Sequence, residues 1–115
     1  MNQKHYSQDL NKIVDSHCHL DFKDFDDDRD KIIRNAKMTN VDYFLTISVN
    51  LEDFKNVYKV TQNYENIWCT TGIHPNNVSS KVNTIQLDDT QSKILANLKN
   101  KKVVGLGETG LDYFR

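Results

Sequence analysis

"VDYFLTISV", residues 41–49, is the stretch on which the fold turns. Its β-branched and aromatic residues read as a buried strand. Just upstream lies "DFKDFDDDRDKIIRNAKMTN", residues 21–40, with Phe25, Ile32, Ile33 and Ala36 at helical spacing. Aspartates crowd its start, where they favour the helix dipole. Before that, "KIVDSH" (12–17) is a second short strand, preceded by a polar lead-in at residues 1–11. Downstream, Asn50 is placed to cap a helix whose Phe54, Val57, Tyr58, Thr61 and Tyr64 share a face. "NIWCTTGI" (66–73) is a third strand, with Trp68 and Cys69 as core residues. A third helix near 84–100 aligns Leu87, Gln91, Ile94, Leu95 and Leu98, and "KVVGLGE" (102–108) is a fourth strand.

Strand and helix therefore alternate in units of roughly 25 to 30 residues. This alternation predicts an α/β fold of parallel βα units joined by right-handed crossovers. The single domain spans 12–115, with about four strands and three helices. A closed (β/α)₈ barrel takes about 200 residues or more. At 115 residues the expectation is a small open sheet or roughly the first half of a TIM-type barrel. Its first and last strands would then expose unpaired edges.

Charge narrows the function. Fifteen Lys and Arg balance sixteen Asp and Glu, for a net charge of −1. A broad basic surface that holds nucleic acid by charge alone is excluded, so phosphate binding needs a local device such as a metal ion. No apolar run is long enough to span a bilayer. The two cysteines, Cys18 and Cys69, form no Cys-x-x-Cys pair. With no signal-peptide core at the start, a reducing, cytoplasmic setting is expected.

The chemistry-bearing residues sit at strand ends. Side chains i and i+2 share a face of a strand, so His17 and His19 in "VDSHCHLD" (14–21) point together and Cys18 points away. They follow the apolar part of the first strand, at its carboxyl end, where α/β active sites gather. Two imidazoles at this spacing can grip one cation. The alternative is one packed and one capping histidine. Glu108 follows the glycine-flanked "GLG", which lets the backbone approach closely. With the histidines it would form a set suited to Zn²⁺, Mn²⁺ or Fe. A salt bridge or helix N-cap explains Glu108 as well, and the residues leave both readings open. His74, beside Pro75, reads as a loop residue lining the pocket rather than a ligand.

Three ordered motifs resemble the TatD-related deoxyribonucleases, metal-dependent hydrolases of the amidohydrolase type. They are "VDSHCHLDF" (14–22), "TTGIHPNN" (70–77) and "GLGETGLDYFR" (105–115). The resemblance implies a TIM-type barrel of which this chain is the N-terminal half, with a divalent centre of Mg²⁺, Mn²⁺ or Zn²⁺ that hydrolyses phosphodiester bonds in DNA. Carried over, His17 and His19 become metal ligands and Glu108 a catalytic metal contact. His74 becomes substrate-binding, while Asp15 and Asp112 orient ligands or strand ends. Such proteins take further histidines and an aspartate from later strands. The one histidine left here is His5, in the lead-in. The expectation is weak metal binding and little nuclease activity for the chain alone. The missing half would come from a separate chain, or the edges would pair with a second copy. A non-catalytic remnant of a split gene is the rival reading.

Other signals fall away. An EF-hand loop starting at Asp24 would need Gly where Arg29 stands and Glu where Asn35 stands. "GLGETG" lacks the spacing of a dinucleotide loop. "KNKK" (99–102) reads as a helix end whose cations suit the dipole.

Overall fold

Helix α1 (Arg29–Met38) stops where the sequence offers an asparagine. Asn40 takes φ 69°, a left-handed conformation that asparagine tolerates, and the chain turns directly into β2 (Val41–Thr46). The N–H groups of Thr39 and Asn40 donate to the carbonyls of Ala36 and Lys37, which the last helical turn would otherwise leave unpaired. The Asn40 carbonyl then accepts the Ile13 N–H, so this turn also starts the pairing of β1 (Ile13–Cys18) with β2. The computed structural model describes residues 11–78 and 84–114. The expected lead-in, apart from Asn11, and His5 within it lie outside the described residues.

The remaining elements are α2 (Phe54–Asn63), β3 (Ile67–Thr71), α3 (Thr84–Leu98) and β4 (Val103–Leu106). Short 3₁₀ turns occupy Lys23–Phe25 and Pro75–Asn77. The sheet order is β1-β2-β3-β4 and every pair is parallel. This is the α/β arrangement the alternation predicts.

Two apolar clusters hold the layers together. Leu20, Ile33, Phe44, Val60 and Ile67 join α1 and α2 to the sheet, and Phe54, Val57, Cys69 and Val103 continue toward β4. Burying a side chain such as Ile67 contributes about 1.5–3 kcal/mol. Helix α3 packs less deeply. Its Leu87, Ile94, Leu95 and Leu98 line an apolar groove of about 550 Å³ with Leu106. A polar pin anchors it, from Asn97 Nδ2 to the buried Thr71 Oγ1 at 3.0 Å.

Buried hydroxyls fasten the loops at the carboxyl rim. Thr46 Oγ1 on β2 accepts the Leu20 N–H after β1, at 3.1 Å. Thr70 Oγ1 on β3 accepts the Ser48 N–H after β2, at 3.2 Å. Each strand thus holds the loop of the strand before it and satisfies a buried donor.

Some local expectations change. The second strand ends at Thr46 rather than residue 49, although Ile47 and Ser48 stay buried. Asp53, not Asn50, takes the position before α2. The Asn50 side chain accepts the Asp53 N–H at 2.7 Å and donates to its carboxylate at 2.9 Å, so Asn50 braces the turn instead of capping the helix. Cys69 is core, but Trp68 is only half-buried. Lys102 Nζ lies 4.5 Å over the Trp68 ring and donates to the carbonyls of Tyr64, Glu65 and Ile67.

Candidate metal centre

Strand β1 is not regular where the histidines leave it. Asp15 lies opposite Phe44 and Cys18 opposite Thr46, so β1 fits one extra residue into that interval. Such a bulge re-aims side chains, often beside a site. The predicted facing survives it. The His17 and His19 rings meet edge to face, centroids 5.2 Å apart. Cys18 turns away and its Sγ donates to the Leu45 carbonyl. Asp15 Oδ1 accepts the His17 N–H at 3.1 Å, bracing the backbone under the first imidazole.

His19 is held on two sides. Its Nδ1 lies 3.0 Å from the Ile47 carbonyl oxygen. A carbonyl only accepts, so Nδ1 carries the proton and Nε2 presents a lone pair. The ring also stacks on Phe22, centroids 4.8 Å apart and 14° from parallel. The loop bearing Phe22 is clamped by Arg29, which donates to the carbonyls of Leu20, Asp21 and Phe22 and to the Asp26 carboxylate. Sequence reasoning gave Phe22 and Arg29 no role in the site. Phe22 stands inside the first motif, but a stacking contact is a tertiary fact that spacing does not announce.

Glu108 reaches the histidines because the sheet curls. In a flat sheet β1 and β4 would lie three spacings apart, about 14 Å. Here Glu108 Oε1 is 3.4 Å from His17 Nε2, and Oε2 is 3.8 Å from His19 Nε2. Glycine assists at Gly107, the second glycine of the expected "GLG", and at Gly72, which was not expected. A side chain on Gly105 would meet open space, whereas a Cβ on Gly72 would fall 1.9 Å from the Gly107 carbonyl oxygen. The ends of β3 and β4 therefore touch backbone to backbone, directly before Glu108.

His74 and Asp112 are placed differently. His74 Nε2 lies 3.9 Å from Glu108 Oε1, on the same rim. Its Nδ1 accepts the Asn76 N–H at 3.0 Å. Asp112 is engaged in its own turn, where Oδ1 accepts the Phe114 N–H at 2.9 Å. Neither belongs to the tight set.

That set is His17, His19 and Glu108, whose ligand atoms lie within 4.8 Å of one another. Glu108 Oε2 is buried with no hydrogen-bond partner among the described residues. A buried carboxylate oxygen left so is costly unless something cationic meets it. With metal–nitrogen bonds of about 2.0–2.1 Å, donors around a tetrahedral ion stand roughly 3.3–3.5 Å apart, a spacing that His17 Nε2 and Glu108 Oε1 meet at 3.4 Å while the rest of the set stands wider. Two imidazoles and one carboxylate suit a divalent ion of intermediate hardness. Thiol chemistry does not compete. Burial pushes Cys18 and Cys69 up to about 12, so both stay protonated.

The same residues mark the ancestry of the chain. Residues 14–115 match the family model described as TatD related DNase. The chain belongs to the TatD-related DNase family. It is 32% identical over 106 residues to an uncharacterized metal-dependent hydrolase of Buchnera aphidicola from Acyrthosiphon pisum, covering 89% of this chain and 40% of that protein. It is 32% identical over 91 residues to the 3'-5' ssDNA/RNA exonuclease TatD of Cronobacter sakazakii, covering 79% of this chain and 33% of that enzyme. The crystal structure of YjjV, a TatD homologue from Escherichia coli K12, superposes with a TM-score of 0.75 at 27% identity. That match covers 92% of this chain and 40% of YjjV. The chain thus spans between a third and two-fifths of the length of these relatives. The four strands and three helices are those of the TatD-type fold, as the resemblance implied. No helix among the described residues is long and apolar enough to cross a membrane.

Proposed function

We propose that this chain carries the metal-binding rim of a TatD-type hydrolase of DNA phosphodiester bonds. His17, His19 and Glu108 would hold a divalent cation, Mg²⁺, Mn²⁺ or Zn²⁺. When bound, such an ion polarises a phosphoryl oxygen and supplies an acidified water as nucleophile. The chain's own residues set the geometry. The Ile47 carbonyl and the Phe22 ring fix the His19 lone pair, Asp15 braces His17, and the contact of Gly72 with Gly107 positions Glu108. Asp112 would steady the loop after Glu108 through its own turn. The observation that carries this reading is the meeting of Glu108, with its unpartnered buried oxygen, and two imidazoles from the opposite edge of the sheet.

Calorimetric titration with Mg²⁺, Mn²⁺ and Zn²⁺ tests it. One ion per chain is expected, lost in His19→Ala and in Glu108→Ala while both variants keep the wild-type circular dichroism. A wild type that binds none of the three overturns the reading. Nuclease assays on single- and double-stranded DNA then test the substrate. Slow cleavage is expected, because the described residues form one three-ligand set and no second. Fast cleavage abolished by His17→Ala would overturn that expectation and make the chain an enzyme by itself.

The sheet edges favour a partner. Ile13 and Val14 on β1, and Val104 and Leu106 on β4, are exposed apolar residues on strands that each pair on one side only among the described residues. Further parallel strands would cover them, from a separate polypeptide or a second copy of this chain. Light scattering on the purified protein separates these. A discrete dimer supports the second copy, and a monomer rules it out and leaves the edges to strands that residues 12–115 do not supply.

A further inference from the structure

Arg29 stands where a local rule argues against it. It is the first residue of α1, at the helix end whose dipole favours anions, and the aspartates beside it obey that rule. A cation placed against local preference points to partners elsewhere in the fold. Here the partners are backbone oxygens. Arg29 Nε donates to the Leu20 carbonyl at 2.5 Å, and Nη2 reaches the carbonyls of Asp21 and Phe22 at 3.3 and 3.2 Å. Asp26 Oδ1 accepts from the same Nη2 at 2.7 Å and holds the guanidinium in place.

These three carbonyls directly follow His19. Consecutive carbonyls turned toward one group need a planar fork of donors, which a guanidinium supplies and an ammonium does not. Leu20 is tied on its other side as well, since its N–H donates to Thr46 Oγ1. Two residues on, the Phe22 ring stacks on His19 although Phe22 is 40% exposed. A ring so open to water gains little from burial, so the tied loop is what keeps it on the imidazole. None of Arg29's hydrogen bonds goes to His17, His19 or Glu108 among the described residues.

We propose that Arg29 is a positioning residue for the metal centre: its guanidinium gathers the loop after His19, holds the Phe22 ring against that imidazole and so sets how tightly the centre binds a cation. The effect on affinity rests on the metal reading above; the link from Arg29 to the ring stack does not. The sign of the effect separates three roles. As a nearby charge, Arg29 would repel the ion, and removing it would tighten binding. As a residue that only stabilises the fold, it would leave the affinity of the folded chain unchanged. As a positioning residue, its loss weakens binding.

Calorimetric titration of the whole chain with Mn²⁺ reads that sign. Arg29→Met should bind about tenfold more weakly, as for other groups that support metal ligands. Phe22→Ala should lose about as much, and the double variant little more than either, because the two act in series. Arg29→Lys keeps the charge and the stem, and should also bind more weakly than the wild type; it carries the test if Arg29→Met does not fold. Val57→Ala, in the second apolar cluster, should lose stability yet keep Mn²⁺ affinity within about twofold. Tighter or unchanged binding in either Arg29 variant, or an equal loss in Val57→Ala, overturns the proposal. Proton spectra of the metal-free chain read the stack itself. The upfield ring-current shift of the His19 ring protons should vanish in Phe22→Ala and shrink in both Arg29 variants. His19 signals unmoved in the Arg29 variants would break the link. A wild type that binds no Mn²⁺ would overturn the affinity role together with the metal reading, and the spectra would still decide whether Arg29 holds the ring.

Discussion

The middle and the margins of this sheet are built to different standards. Ile67 and Cys69 on β3 are fully buried, whereas Val14 on β1 and Val104 on β4 are 58% and 57% exposed. Stability resides in the middle, where α1 and α2 press on β2 and β3. The candidate chemistry resides at the margins, since His17 and His19 leave β1 and Glu108 follows β4. The curl of the sheet brings side chains that follow its two edge strands within 4 Å of each other.

The largest break in that contrast should come from Ile67→Ala. Removing a side chain at 0% exposure from the first cluster should cost about 3–4 kcal/mol, while Val14→Ala at the edge should cost less than about 1. Urea denaturation of both variants checks it; equal losses would show that the edge is packed in solution. Gly72→Ala should come next. Its Cβ cannot coexist with the Gly107 carbonyl oxygen, so β3 and β4 must part, at a cost of about 1–3 kcal/mol. Glu108 moves with β4, so Mn²⁺ affinity should fall by more than the stability loss explains. Gly105→Ala, which meets open space, is the control and should do neither. Wild-type Mn²⁺ affinity in Gly72→Ala would refute the positioning role.

The smallest effect concerns Asp21, beside the Arg29 clamp. Burial pushes its carboxyl above the usual range and the nearby Asp53 adds to this, against its own backbone, His19 and Arg29. Its Oδ1 is buried without a partner among the described residues. A carboxyl with a raised folded-state pKa contributes stability that is fully present below its unfolded value, about pH 4, and lost as pH rises through the folded value. Asp21→Asn should therefore gain on the wild type from about pH 4 upward, by less than about 3 °C in Tm at pH 7. Melting curves that stay parallel across that range would contradict it.

Periodicity made the architecture legible. Short apolar and β-branched runs and helical faces located four strands and three helices, because apolar burial leaves its mark locally. The histidine doublet was legible for the same reason, since strand alternation is a property of the backbone. The supports of the site were not. The bulge between Asp15 and Cys18, the Phe22 stack on His19 and the Arg29 clamp depend on neighbours distant in sequence or on loop geometry. Of the two glycines in the close contact, Gly107 was legible in "GLG" and Gly72 was missed for a related reason. Gly72 needs no unusual φ, so its role is visible only once β4 lies against it.

Most of the chain separates His17 from Glu108, and the two meet only across a finished sheet. The cluster is therefore the last feature a folding molecule can complete, since loop closure over that span must follow assembly of the intervening βα units. Partly folded species would hold the helices without the cluster, and ion uptake during refolding would time the arrival of β4.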